Sequence, residues 1–279
     1  MSLSIKNILF CSVVLFGCQN NQSAKTYDSN DTTANDTVAI QQISSNSERT
    51  AKLGFSHFSQ KKHKENWTYS LTMDYPQNGG EFIVHSIQEW INEQLGGTYS
   101  GNLEDTQELF NNYSSLFLDE QIAVEEYICD IECEMNYTFQ PIWETDNLIT
   151  LACNTYWYGG GAHGSSSYFA VTFRKADGRR FGMDMILADA NLQEELNNGL
   201  KIYFGVSTDE ELNENLQVDE LHNANNIPLP ATNPWIDNKG IHLIYSQYEI
   251  ACYAAGMPEV VIPISKAKKY LTSTILKEL

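Results

Sequence analysis

The sequence predicts an α+β fold with antiparallel sheets, long hairpins and segregated helices, arranged as two adjoining subdomains. Three observations predict it. Stretches that alternate between polar and apolar residues follow one another across turn signals, as strands of hairpins do. Segments with apolar residues at helical spacing come in adjacent pairs and do not alternate with single strands, which argues against a doubly wound sheet. About 230 residues follow a polar N-terminal segment, enough for one large or two small domains.

The first half of the folded part begins with two predicted strands and two predicted helices. Residues 53–58 and 67–75 alternate in polarity, and the second stretch places its apolar residues on one face. Residues 81–94 carry Phe82, Ile83, Ile87, Trp90 and Ile91 at helical spacing and end at a Gly-Gly pair. Residues 103–118 show the same pattern. A long hairpin of residues 122–141 and 147–158 should follow.

The second half mixes short strands with helices. Residues 167–174 and 179–181 predict a hairpin around an Ala-Asp-Gly turn. Residues 191–204 and 208–215 predict helices, and the proline-containing stretch 223–234 predicts a loop. Residues 241–245 and 259–264 predict strands, and Ser265 is expected to N-cap a closing helix that runs to residue 279.

The N-terminus predicts export and lipidation. Residues 1–17 combine Lys6 with an apolar stretch of about nine residues, far short of the roughly 20 that span a bilayer. The stretch ends in Leu15-Phe16-Gly17-Cys18, which resembles the bacterial lipobox, in which the cysteine thiol is alkylated by diacylglycerol. We therefore expect residues 1–17 to be a lipoprotein signal peptide and Cys18 to anchor the protein to the outer membrane.

A polar tether and two domains are expected after Cys18. Residues 18–50 are rich in Asn, Ser, Thr, Asp and Gln and have no apolar periodicity, so they predict a disordered tether. An N-terminal α+β domain is expected over residues 51–165 and a C-terminal domain over residues 166–279. The sequence does not decide whether they face the periplasm or the cell surface.

The charge balance narrows the class of partner. The chain has 17 Lys and Arg against 36 Asp and Glu residues, a formal net charge of -19. Such a surface argues against binding to nucleic acid or to anionic lipid head groups, and it would attract a cationic partner. Plain solubility is the alternative explanation.

Four cysteines are candidates for disulfides: Cys129, Cys133, Cys153 and Cys252. If Cys129 and Cys133 share a strand, they lie about 13 Å apart, too far to bridge each other. Each would then pair with Cys153 or Cys252. Free buried thiols and a cysteine-only zinc site are alternatives, although the spacing lacks the usual C-x₂-C knuckle. We predict no metal site and no cofactor.

Two motifs resemble a known bacterial extracytoplasmic family. The first is Tyr158-Gly159-Gly160-Gly161-Ala162-His163, and the second is the stretch 240–260, which contains Tyr-Ser-Gln-Tyr-Glu-Ile-Ala-Cys-Tyr-Ala-Ala-Gly-Met-Pro-Glu-Val. They are similar to the paired domains of unknown function in the outer part of the lysozyme-sensing anti-sigma factor RsiV and in the non-catalytic part of the peptidoglycan deacetylase PdaC.

The resemblance implies binding rather than chemistry. It spans residues 51–279 and makes residues 166–279 the RsiV-like domain, with Cys252 where the family has proline. This sequence contains neither a sigma-binding segment nor a deacetylase domain, so only a sensing or binding module is implied. Its ligand would be a lysozyme-like cationic protein or a peptidoglycan fragment.

The candidate binding residues come from these motifs. They are His163, Tyr158, Tyr245, Tyr248, Glu249 and Tyr253. Tyrosine offers a large contact area at small entropy loss, so the group could form a binding platform. The alternative is that these side chains only pack a loop.

No catalytic motif stands out in the sequence, and we predict a protein that is not an enzyme. Two other functions stay open: a cell-wall hydrolase, and a structural component of an envelope assembly.

Overall fold

A six-stranded sheet forms the larger part of the fold. We describe residues 52–124, 131–217 and 223–279 from a computed structural model. The strands lie side by side in chain order: β1 (Gly54–Lys64), β2 (Trp67–Asn78), β3 (Cys133–Glu144), β4 (Leu148–Tyr158), β5 (Ser165–Arg174) and β6 (Arg180–Phe181). Neighbouring strands are antiparallel except β2 and β3, which are parallel. A parallel pair needs a crossover connection, which contains helices α1 (Glu81–Gln94) and α2 (Thr106–Val124).

The first core lies between this sheet and helices α1 and α2. The predicted inward face of β2 is confirmed, since Tyr69, Leu71, Met73 and Tyr75 are almost completely buried. The predicted limits of α1 are also confirmed. Phe82 was wrongly placed on its apolar stripe and is 69% exposed, because the side chains at positions 83, 87, 90 and 91 already form the buried face.

The predicted long hairpin starts later than expected. Helix α2 continues to Val124, and β3 begins only at Cys133, so the prediction of a strand from residue 122 was wrong. The helix is fixed at its start by Asp105, whose carboxylate accepts the Glu108 amide at 2.9 Å. The buried stripe of Leu109, Phe110 and Leu118 then holds it against β1 and β2.

A second, three-stranded sheet forms the rest of the fold. It contains β7 (Trp235–Ile236), β8 (Ile241–Ile244) and β9 (Glu259–Ile262), all antiparallel. Helix α3 (Gln193–Phe204) packs on β9 and contacts α4 (Asp209–Asn215). Close approach depends on Gly199, where a Cβ atom would lie 2.5 Å from the Val260 side chain. Helix α4 begins with a capping box between Thr208 and Glu211.

The predicted closing helix is broken into three short pieces. Helix α5 (Ile264–Ala267) is followed by a 3₁₀ turn at Lys268–Tyr270 and by α6 (Ser273–Leu276), and the N-cap is Pro263 rather than Ser265. The break has a tertiary cause. Leu271 forms a β-bridge with Ile186, which requires extended backbone at that point.

Buried hydroxyl groups join the two sheets. Thr150 on β4 and Thr172 on β5 lie 2.9 Å apart, and both bond to the backbone of Ile236 on β7. The predicted domain boundary at residues 165 and 166 falls at the start of β5, which belongs to the first sheet. Within the described segments, no helix is long and apolar enough to cross a bilayer.

Candidate functional site

Two loops from distant parts of the chain meet at the surface. The first, residues 159–164, connects β4 to β5, and the second, residues 245–258, connects β8 to β9. His163 on the first loop stacks on Tyr253 of the second, with ring centroids 3.7 Å apart and an interplanar angle of 21°. Tyr248 lies 5.6 Å from the Tyr253 ring. We call His163, Tyr248 and Tyr253 the aromatic platform.

Hydrogen bonds hold the three rings of the platform in place. The carbonyl of Gly164 lies 3.0 Å from His163 Nδ1 and accepts the Tyr253 hydroxyl at 2.8 Å. Because a carbonyl can only accept, Nδ1 carries the proton. His163 Nε2 lies 3.4 Å from the Tyr248 hydroxyl. These contacts hold the imidazole in place between the two loops.

One further contact ties the two loops together and another packs the first loop against β4, and neither was foreseen from the sequence. The Gln247 side-chain oxygen accepts the Ser166 amide at 3.0 Å, which ties the second loop to the start of β5. Gly164 is buried under the ring of Tyr156, and a Cβ atom there would lie 2.5 Å from that ring. Gly160 has a φ of +80°, which suits glycine at this turn.

Tyr248 has an unusual backbone conformation. Its φ is +67°, in the left-handed region that non-glycine residues rarely adopt, and its side chain is 53% exposed. Such strain persists where surrounding contacts impose it, and it clusters at binding sites. The platform thus presents a strained, half-exposed tyrosine to solvent.

The other three predicted binding residues have different roles in the fold. Tyr245 is fully buried, and its hydroxyl donates to the Pro228 carbonyl at 2.8 Å. The prediction that it belongs to a binding surface was therefore wrong. The Glu249 carboxylate accepts the amides of Ala231 and Ser246, both at 2.7 Å, and fixes the loop. Tyr158 is partly exposed and its hydroxyl donates to Gly161.

The cysteines form a separate group. Cys153 and Cys252 carry free thiols, so neither forms the bridge that was one of the expected arrangements. Burial raises the pKa of the Cys153 thiol, whereas Cys252 is exposed. The Cys133 thiol donates to the Ile131 carbonyl, and Cys129 lies outside the described residues. In the part of the chain that is described, no three His, Cys, Asp or Glu side chains are grouped to hold a metal ion.

Comparisons with known proteins agree with the fold and with the motifs. Residues 62–166 match the family model described as "Deacetylase PdaC", and residues 184–265 match "Protein of unknown function (DUF3298)". No curated protein matches the chain significantly.

Two solved structures share the fold. A DUF3298 family member from Bacteroides fragilis has a TM-score of 0.66 at 19% identity, with 82% of this chain and 98% of that chain covered. A DUF3298 family protein from Pseudomonas aeruginosa has a TM-score of 0.57 at 15% identity, with 80% and 96% covered.

Proposed function

We propose that this chain, which carries a PdaC domain followed by a DUF3298 domain, is a lipid-anchored recognition protein of the cell envelope whose aromatic platform binds a cationic protein. The paired domains suggest a non-catalytic, envelope-associated module. They are of unknown function or belong to the non-catalytic part of PdaC.

The exposed, strained Tyr248 in the platform is the observation that carries the proposal. Its surroundings are rich in Tyr, Ser, Gly, Gln and His, a composition typical of surfaces that recognise proteins. In such surfaces tyrosine supplies rigid contact area, and small polar residues supply adaptable hydrogen bonds. The ring stack and the shared Gly164 carbonyl hold the platform before a partner arrives, which lowers the entropic cost of binding.

Charge selects the partner class. The platform residues themselves carry no formal charge when His163 is neutral, whereas the whole chain has a net charge of -19. A field of this sign speeds the approach of a cationic protein and slows that of an anionic one. The resemblance to a lysozyme-sensing module makes lysozyme the natural first probe.

The lipid anchor completes the proposal. Leu15-Phe16-Gly17-Cys18 has the form of a lipobox, and residues 18–50 have the composition of a flexible tether. Acylation of Cys18 would hold the module at the outer membrane. A Cys18→Ala variant that still incorporates labelled fatty acid during growth would contradict this part of the proposal.

Calorimetric titration with hen egg-white lysozyme at low and at physiological salt tests the binding function. Hot-spot tyrosines contribute about 2 kcal/mol or more, so Tyr248→Ala and Tyr253→Ala should each weaken binding by about 30-fold. Phe82→Ala removes another exposed aromatic side chain, from α1, and should leave binding unchanged. Affinity should also fall as salt rises.

A flat titration at low salt, or equal binding by all variants, would overturn the proposal. The hydrolase alternative has its own signature. If the protein clears a zone in a peptidoglycan gel, and the Tyr248→Ala variant does so too, the hydrolase function is favoured over recognition of a protein.

A further inference from the structure

A pocket lies beside the three-stranded sheet, and none of the three platform residues lines it. Its volume is about 340 Å³, within the range of about 300–1,000 Å³ typical of small-molecule sites. It opens between β5, α3, the β7–β8 turn and β9. Nine residues line it: Tyr168, Tyr203, Trp235, Asp237, Lys239, His242, Ile244, Met257 and Glu259.

A buried histidine organises the polar floor of this pocket. His242 is 2% exposed, with Nε2 2.7 Å from Asp237 Oδ1 and Nδ1 2.6 Å from Glu259 Oε1. Ionised carboxylates only accept hydrogen bonds, so both ring nitrogens donate when both carboxylates are charged. The imidazole also stacks on Trp235 at 3.7 Å and 7°. These contacts fix the two carboxylates at the floor.

The carboxylates of Asp237 and Glu259 can accept hydrogen bonds from a ligand. His242 uses one oxygen of each carboxylate, Asp237 Oδ1 and Glu259 Oε1. Among the described residues, the other oxygen of each has no hydrogen-bond donor. Asp237 is mostly buried, and about a third of the Glu259 side chain is exposed.

Donors are present as well. The Lys239 side chain is exposed on the turn beside Asp237. The indole N–H of Trp235 is buried without an acceptor among the described residues. Burial, together with Glu259 and Asp237, raises the pKa of Tyr168 to about 12, so its hydroxyl stays protonated. The pocket thus offers both donors and acceptors beside aromatic rings.

This combination identifies the ligand class. An ammonium group would use only the carboxylates, and a carboxylate ligand would use only the lysine and the ring donors. A sugar hydroxyl both donates and accepts, and the C–H face of a pyranose ring packs against an aromatic ring. Tyr203, which is 40% exposed, and Tyr168 provide such rings.

We infer that this pocket binds a neutral saccharide of one or two sugar units. Asp237 and Glu259 would accept from its hydroxyls, Lys239 and Tyr168 would donate to them, and the tyrosine rings would contact its apolar face. His242 acts as a positioning residue that holds the two carboxylates. The site goes beyond the proposed recognition of a cationic protein and does not depend on it.

Saturation-transfer NMR on the full chain tests the site, with glucose, cellobiose, N-acetylglucosamine and chitobiose as probes. The variants are Tyr168→Phe, which removes one hydroxyl but keeps the ring, and Lys239→Met. Each removes one hydrogen-bonding group and should weaken binding of the preferred sugar by about three- to tenfold. Lys277→Met changes another exposed lysine, and Tyr248→Ala disables the platform. Both should bind the sugar as the unchanged protein does.

Three results would overturn the inference. The first is that none of the four sugars binds at about 20 mM, in the weak range expected for single sugars. The second is that both pocket variants bind the sugar as tightly as the unchanged protein, or that Tyr248→Ala loses it; either result would place the sugar elsewhere. The third is displacement of the sugar by methylammonium or acetate at equal concentration. A lysozyme titration of Lys239→Met should stay unchanged, so failure here leaves the platform proposal intact.

Discussion

Replacing Tyr248 by glycine should give a more stable protein than replacing it by alanine. At most positions the order is the reverse, because glycine loses more backbone entropy on folding. Position 248 differs because its φ is +67°. An L-residue with a Cβ atom is strained in this region, whereas glycine is not.

The size of the difference follows from two terms. The left-handed conformation costs an L-residue about 1–2 kcal/mol. Glycine's greater freedom in the unfolded chain offsets about 0.4–1 kcal/mol of that gain. Both variants lose the same ring, so its contacts with His163 and Tyr253 cancel in the comparison. We expect Tyr248→Gly to exceed Tyr248→Ala by about 0.5–1 kcal/mol in free energy of unfolding.

Urea denaturation of the two variants measures this difference, with Tyr158→Gly and Tyr158→Ala as the matched pair. Tyr158 ends strand β4 and is not among the described residues with positive φ. At that position glycine should be the less stable residue by about 0.5–1 kcal/mol. The reasoning is refuted if glycine is less stable than alanine at both positions.

Three further predictions concern the core, the thiols and the acid stability. Leu71→Ala removes a fully buried side chain and should lower the free energy of unfolding by about 2–5 kcal/mol. Ile202 is 82% exposed, so Ile202→Ala should change that free energy by less than about 0.5 kcal/mol in the same urea denaturation assay. Iodoacetamide should label Cys252 in the native protein long before Cys153, whose thiol is buried with a raised pKa; equal labelling rates without urea would contradict this burial. Burial alone would raise the pKa of Asp237, but the His242 imidazole and the backbone amides bonded to it lower that pKa below its ordinary value of 3.8. The charged carboxylate therefore stabilises the fold above pH 3.8, and this stabilisation is lost as the pH falls through the lower folded pKa. Asp237→Asn should therefore make stability less dependent on pH below 3.8, and an unchanged acid profile would argue against the role of this carboxylate.

The spacing of apolar residues in the sequence predicted those helices and strands that bury one face. Helix α1 was predicted at its observed limits because an apolar stripe runs along it and a Gly-Gly pair follows it. The parallel pairing of β2 with β3 was not predictable, since it depends on how the crossover helices return the chain. The prediction of a single closing helix was wrong for a similar reason. Its break at Leu271 is imposed by pairing with Ile186, a residue 85 positions earlier.

Motifs predicted part of the aromatic platform but not its arrangement. His163, Tyr248 and Tyr253 were named from two motifs, yet their contact depends on a turn at Gly164 and on the path of the second loop. Tyr245 belongs to the same motif and points into the core, because residues alternate in direction as β8 ends. The saccharide pocket had one weak signal, a single histidine, His242, in an otherwise apolar strand.

Hydrogen exchange of the full chain, measured by mass spectrometry with and without bound lysozyme, tests the central claim most directly. A partner seated on the aromatic platform should slow exchange of the amides in residues 159–164 and 246–253. Exchange in helix α1 (Glu81–Gln94), which carries the exposed control residue Phe82, should stay unchanged. Protection confined to other surfaces, with both loops exchanging at their free rates, would contradict the assignment of this platform as the recognition site.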